Sequence, residues 1–136
     1  MEPIIHFFLP LTILLVFLKR YKKEAILLSF FAWAMDFDYF IPDYHRIAFH
    51  NIFFAIIASI AIYFILGKIE SLITFYYSLS HLILDFDNLG PALFWPFYKY
   101  LITFNINLTK PLSGMWDFNF DIITTPLTAI SRYVPS

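Results

Sequence analysis

His81 and Asp85, in the stretch His81-Leu82-Ile83-Leu84-Asp85, carry the sharpest chemical signal in this chain. Residues four apart share one face of a helix, so an imidazole and a carboxylate can address a single object. Imidazole with carboxylate suits zinc, iron, manganese or nickel. The chain has no cysteine, which excludes thiolate metal sites and disulfides. The spacing alone is common, and its weight comes from its company. His6 opens the first apolar segment, Asp36 and Asp38 close the second, and His45 and His50 open the third. If these segments run up and down, all four histidines and most aspartates share one rim.

Each group also has a plainer use. A lone histidine near a membrane interface is ordinarily a hydrogen-bonded polar tip. Asp38 and Asp43 fit helix caps, and Arg46 and Lys99 fit lipid-headgroup contacts. The joint pattern is harder to obtain from interface composition, and a metal centre accounts for it. Asp36 and Asp38 lie two apart and diverge on an α-helix. Either one is a ligand and the other a supporting or capping group, or the helix is unwound there. His50 lies within the apolar body of its segment and is the better ligand. His45, at the mouth beside Arg46, either ligates a second ion or orients substrate.

The elements that must position these groups are unusually apolar. The chain of 136 residues is 60% hydrophobic, 22% aromatic and 14% charged, with a mean hydropathy of +0.71. Soluble domains are about 45–50% apolar and roughly 25% charged. Too little polar surface remains to clothe a water-soluble globule, so the expected class is all-α, an integral membrane bundle of about four helices. Its segments are residues 3–18, 25–41, 44–66 and 71–86. Gly67 is a natural helix terminator, and Asp87-Asn88-Leu89-Gly90-Pro91 is a strong breaker. A single domain of residues 1–136 is expected, with a core at 3–97 and an irregular tail at 98–136. In the tail, Trp95, Phe97, Tyr98, Tyr100 and Trp116 resemble an interfacial aromatic belt. Residues 99–108 read as a short strand or an amphipathic helix, and 122–130 as a further short helix.

The N-terminal stretch carries its positive charge after the apolar run, unlike a secretory signal, and reads as a retained helix. Lys19, Arg20, Lys22 and Lys23 follow the first segment, and Lys68 follows the third. The positive-inside rule assigns that end to the cytoplasm. A multi-pass protein of the cell membrane is expected, its metal site facing outward. The net charge of −1 argues against nucleic acid as a partner. Three glycines leave no Gly-rich phosphate loop, and there is no G-x-S-x-G elbow. The cytoplasmic halves of the segments are almost purely apolar, which disfavours a channel or transporter.

The series His6, Asp36-Phe37-Asp38, His45-Arg46, His50, His81 to Asp85, Gly90 and Pro96 resembles the YdjM-type family of predicted membrane-bound metal-dependent hydrolases. Met35 stands where that family usually has proline, and Asn51 where serine is common. The family is similar in turn to the zinc-dependent phospholipase C and single-strand nuclease superfamily. That resemblance implies that Asp36, His50, His81 and Asp85 hold one zinc, with Asp85 bridging to a second ion bound by His6. The superfamily's further H-x-x-x-E element is not visible, so one or two ions are implied rather than three.

The resulting expectation is a divalent metal cofactor, most simply Zn, and hydrolysis of a phosphoester in a lipid or lipid-linked substrate. Membrane lipids are the expected partners. Asp36 or Asp38 would orient the attacking water, and Arg46 would neutralise a phosphate, with His45 beside it. The competing class is a non-catalytic membrane protein whose metal pins the helix ends together.

Overall fold

The computed structural model describes residues 3–40, 47–86, 90–109 and 117–127. Helix α1 spans Pro3–Phe17. A 3-10 turn at Lys19–Tyr21 leads into α2, Lys22–Leu28, and a short α3, Phe31–Ala34. A 3-10 helix follows at Met35–Phe40. Helix α4 spans Ile52–Ile65 and α5 spans Lys68–Leu84. Two strands, β1 (Tyr100–Thr109) and β2 (Asp117–Pro126), form an antiparallel ribbon.

The helices do alternate in direction, and the alternation gathers the site. Helix α1 leaves the rim at His6 and ends beside the cationic turn. Helix α5 starts at the Lys68 end and returns to the rim at His81. A 15-residue helix is about 22 Å long, so cations and metal-capable groups lie at opposite ends. Gly67 makes the α4–α5 reversal with φ 123°, a backbone angle that side-chain-bearing residues rarely adopt.

Leu14, Ala25, Leu28, Ala32, Ile73 and Tyr77 form the buried core. The alanines let α2 and α3 approach α5 closely, and Tyr77 Oη donates to the Ala25 carbonyl at 2.7 Å. Polar groups also enter the interior. Ser59, Thr74 and Ser78 are buried, and Ser71 Oγ donates to the Ser59 carbonyl at 2.8 Å. Small polar residues at a helix contact favour close packing where lipid, not water, surrounds the helices. The lower half of the bundle is therefore less uniformly apolar inside than its segments suggest.

Three sequence expectations need correction. The class is not all-α with an irregular tail, because residues 100–109 and 117–126 pair as a ribbon. The side chains of β1 alternate from Ile102 onward as Ile-Thr-Phe-Asn-Ile, the period of a strand with two unlike faces. Segment 25–41 is not one helix. It breaks at Ser29, whose Oγ donates to the Ile26 carbonyl at 2.7 Å, and then tightens to 3-10. Segment 44–66 begins its helix late, at Ile52. As a result, among the described residues no single helix is long and apolar enough to cross a membrane. Among the described residues one pair, Ile4–Phe17 and Lys19–Asp38, bent by 116°, meets the length and composition together.

The outer surface is nonetheless apolar. Phe8, Phe17, Leu27, Phe40, Ile57, Phe64 and Ile65 are among many large hydrophobic residues exposed on the helices. Apolar patches beyond a few hundred Å² are rare on soluble monomers and mark interaction surfaces.

Candidate metal centre

The site is assembled from four places in the chain. His81 lies in the last turn of α5 and Asp85 caps that helix. Asp36 and Asp38 sit on the 3-10 helix after α3. His50 directly precedes α4, fixed by its neighbour Asn51. The Asn51 side chain accepts from Phe54 N at 2.8 Å and donates to the Ile47 and Ala48 carbonyls. This is an N-cap, which satisfies helix N–H groups that lack an intrahelical partner. Serine can make the same cap.

Four donor atoms converge. His50 Nε2 lies 3.0 Å from Asp85 Oδ2 and 3.6 Å from Asp36 Oδ1. His81 Nε2 lies 3.2 Å from Asp85 Oδ2 and 3.4 Å from Asp36 Oδ1. The two Nε2 atoms are 3.1 Å apart, and one ligand atom from each residue falls within 4.8 Å of all the others. Tetrahedral zinc with bonds near 2.0–2.1 Å would hold its ligand atoms about 3.3 Å apart. His50, His81 and Asp85 are buried, whereas the Asp36 side chain is 31% exposed. Asp36 is therefore the side from which the centre can be reached.

The ring tautomers point the same way. His50 Nδ1 lies 2.8 Å from Asp38 Oδ2, and His81 Nδ1 lies 2.8 Å from the Ala32 carbonyl. A carbonyl oxygen only accepts, as does an ionised carboxylate. Both Nδ1 atoms therefore carry hydrogen, and in neutral rings both Nε2 atoms present lone pairs to each other. A cation, or a proton, between them removes the repulsion. Backing of a ligand imidazole by a carboxylate or carbonyl is usual at metal sites.

The electrostatics agree. Burial alone would raise the Asp36 and Asp85 carboxyls, but the His50 and His81 imidazoles beside them, with the His6 ring added at Asp85, hold both well below the usual carboxylate range. Burial alone would lower the His50 imidazole, yet Asp36, Asp38 and Asp85 push it up to about 10. Without metal, the centre retains a proton on His50. A divalent cation would take that proton's place.

The residues expected from sequence fall into three groups. Asp36, His50, His81 and Asp85 come together. Asp38 is fully buried and supports His50 from behind, while Asp36 is the carboxylate of the two that joins the group able to hold a metal. The two carboxylates reach opposite nitrogens of one imidazole. His6 is buried, with its ring centroid 4.6 Å from that of His81. Its Nε2 lies 3.0 Å from Asp85 Oδ1 but makes no aligned hydrogen bond. Two donors that approach without a bond between them suit an ion shared on the far side of Asp85. His45, Arg46 and the cap candidate Asp43 lie outside the described residues. Sequence reading missed the Ala32 carbonyl, since a backbone acceptor leaves no mark in residue type.

The model of the family described as YdjM inner membrane protein matches residues 1–131. The chain belongs to the YdjM family. No curated protein and no solved structure matches it. Membership of YdjM places the chain among membrane proteins, in keeping with its exposed apolar helices. The matched span contains the whole series from His6 to Pro96.

Proposed function

We propose that this YdjM protein is a membrane-bound metal-dependent hydrolase acting on a phosphoester of a lipid or lipid-linked substrate. One observation carries the reading: the facing Nε2 atoms of His50 and His81, each with its Nδ1 already bonded, alongside two ionised carboxylates. Asp36, His50, His81 and Asp85 would hold the ion, most simply Zn, and His6 with Asp85 a second. Such ions supply Lewis acidity and an activated water at neutral pH. The chain's own contribution is placement. Asp38 and the Ala32 carbonyl fix the two rings, and the buried surroundings exclude bulk water from all but the Asp36 side. Asp36 is the group best placed to orient an incoming water.

The lipid part of the reading rests on the apolar exterior around a polar rim. The phosphoester part rests on similarity to the phospholipase C and nuclease pattern. Charge asymmetry orients the molecule, with Lys19, Arg20, Lys22, Lys23 and Lys68 toward the cytoplasmic headgroups and the metal centre at the far end.

A second reading, a non-catalytic metal that ties the rim together, is favoured by the count of four converging protein ligands, the number that closes a structural site. Purified protein in detergent separates the two. Bound metal is measured, then turnover of phosphomonoester and phosphodiester lipids in mixed micelles, with and without chelator. Metal-dependent lipid turnover, abolished in Asp85→Ala, supports the hydrolase. Bound metal with no turnover of any lipid, together with unfolding of His81→Ala, supports the structural role and overturns the hydrolase.

A further inference from the structure

The ribbon has two unlike faces. The register pairs Phe104 with Ile122, Ile106 with Phe120 and Leu108 with Phe118. Cross-strand partners share a face, so one face gathers Phe104, Ile106, Phe118, Phe120 and Ile122. Ile106 is 63% exposed, Phe118 62%, Phe120 50% and Ile122 59%. The opposite face carries Asn105 against Asp121, with Asn119 further out and Ile123, 44% exposed, nearer the root. Nearer the bundle that same face buries Leu101 and Thr103. The ribbon thus docks through its root and leaves an apolar face uncovered toward its tip.

Aromatic contacts join the ribbon region to the helices. The Phe86 ring, just past α5, stacks on Phe104 at 4.2 Å, and Phe104 meets Phe120 at 5.7 Å. On the other flank, Phe53 of α4 meets Phe97 at 5.3 Å, and Tyr98 meets Tyr100 at 4.8 Å. Aromatic contacts thus tie the ribbon face to the end of α5 through Phe86 and the segment before the ribbon to α4 through Phe53, in a protein of a membrane family.

We propose that the apolar face of the ribbon lies on a lipid bilayer, inserted to the depth of the headgroup and acyl boundary beside the metal centre. A ribbon of two strands cannot cross the hydrocarbon, because its open edge would leave backbone groups unsatisfied there. Its polar second face rules out burial on both sides. It lies flat instead, about 34 Å long, with Asn119 and Asp121 toward water. The described ribbon residues include no Lys or Arg, so apolar insertion and not headgroup charge holds it. This inference is independent of whether the metal centre is catalytic.

The absence of native cysteine makes the test direct. Single cysteines at Phe118, Asn119, Phe120, Asp121 and Ile122 are labelled with an environment-sensitive fluorophore. The full chain is placed in nanodiscs of phosphatidylethanolamine and phosphatidylglycerol, and metal content equal to wild type certifies each variant as folded. Labels at 118, 120 and 122 are expected to be quenched several-fold more by nitroxide lipids than labels at 119 and 121, with the reverse order for aqueous iodide. The alternation should persist in phosphatidylcholine alone. Uniform quenching across the five positions, or loss of the alternation without anionic lipid, overturns the proposal. So does efficient 120-to-120 disulfide formation between copies, which would assign the face to a second protomer.

Discussion

His50 and His81 face each other through their Nε2 atoms at 3.1 Å, while their Nδ1 atoms bond to Asp38 and to the Ala32 carbonyl. The pair is thus aimed inward from the last turn of α5 and from the bend before α4, with each ring held from behind.

Removing either ring should remove the ion. His81→Ala and His50→Ala are expected to lower bound divalent metal to background in elemental analysis of purified protein. A stoichiometric ion in both variants would place the binding site elsewhere.

Asp38→Asn should act more gently. It keeps the shape of the support but loses the charge behind His50, and losses of such outer partners cost about 10–100-fold in metal affinity. Competition against a calibrated chelator measures this. Complete loss of binding would make Asp38 a direct ligand instead.

Metal-free and metal-loaded protein should respond oppositely to alkali. The raised His50 value means that its stabilisation of the metal-free fold is complete below about pH 6.5 and lost as pH climbs toward about 10. The lowered Asp36 and Asp85 values protect the fold above their ordinary range near 3.8 and fail only in stronger acid. Metal binding requires deprotonated ligands, so added Zn should stabilise progressively more as pH rises. Thermal unfolding across that range, with chelator or with Zn, gives the two slopes.

Asn51→Ala should destabilise the start of α4 by about 1 kcal/mol, the usual cost of a lost N-cap, whereas Asn51→Ser should cost a few tenths at most. Chemical denaturation in detergent compares them. Equal losses would show that the bonds to Ile47 and Ala48, and not the cap, hold this turn.

Gly90→Ala should detach the ribbon root. Gly90 sits at φ 63°, and an added Cβ would fall 1.8 Å from the Ile102 carbonyl oxygen. The backbone angle alone costs about 1–3 kcal/mol, and the overlap forces β1 away. Faster proteolysis within residues 100–126, with metal content retained, is the expected signature.

The gathering of metal-capable groups at one end of the helices was legible from their places in the sequence. Apolar segments end at polar groups, and up-and-down packing gathers those ends, so His50, His81 and Asp85 converge although 35 positions separate the outer two. The break at Ser29 was not legible, because serine within an apolar run is common and only packing selects its bond to Ile26. The late start of α4 was hidden because apolar residues, Ala48 and Phe49 before and Ile52 after, flank the two polar positions His50 and Asn51. Asn51 was the available signal, a cap residue directly after a histidine. The ribbon was readable too. Phe118, Phe120 and Ile122 alternate with Asn119 and Asp121, but the prolines and aromatic residues around them favoured reading an irregular tail.

Phe86 joins two parts of the molecule that residue type alone would keep separate. Its carbonyl accepts from Phe104 N at 2.9 Å, and its amide follows Asp85 directly in the chain. The carboxylate that touches both imidazoles is therefore one peptide bond from the attachment point of the ribbon. A displacement of the ribbon root would therefore reach that carboxylate through a single peptide link.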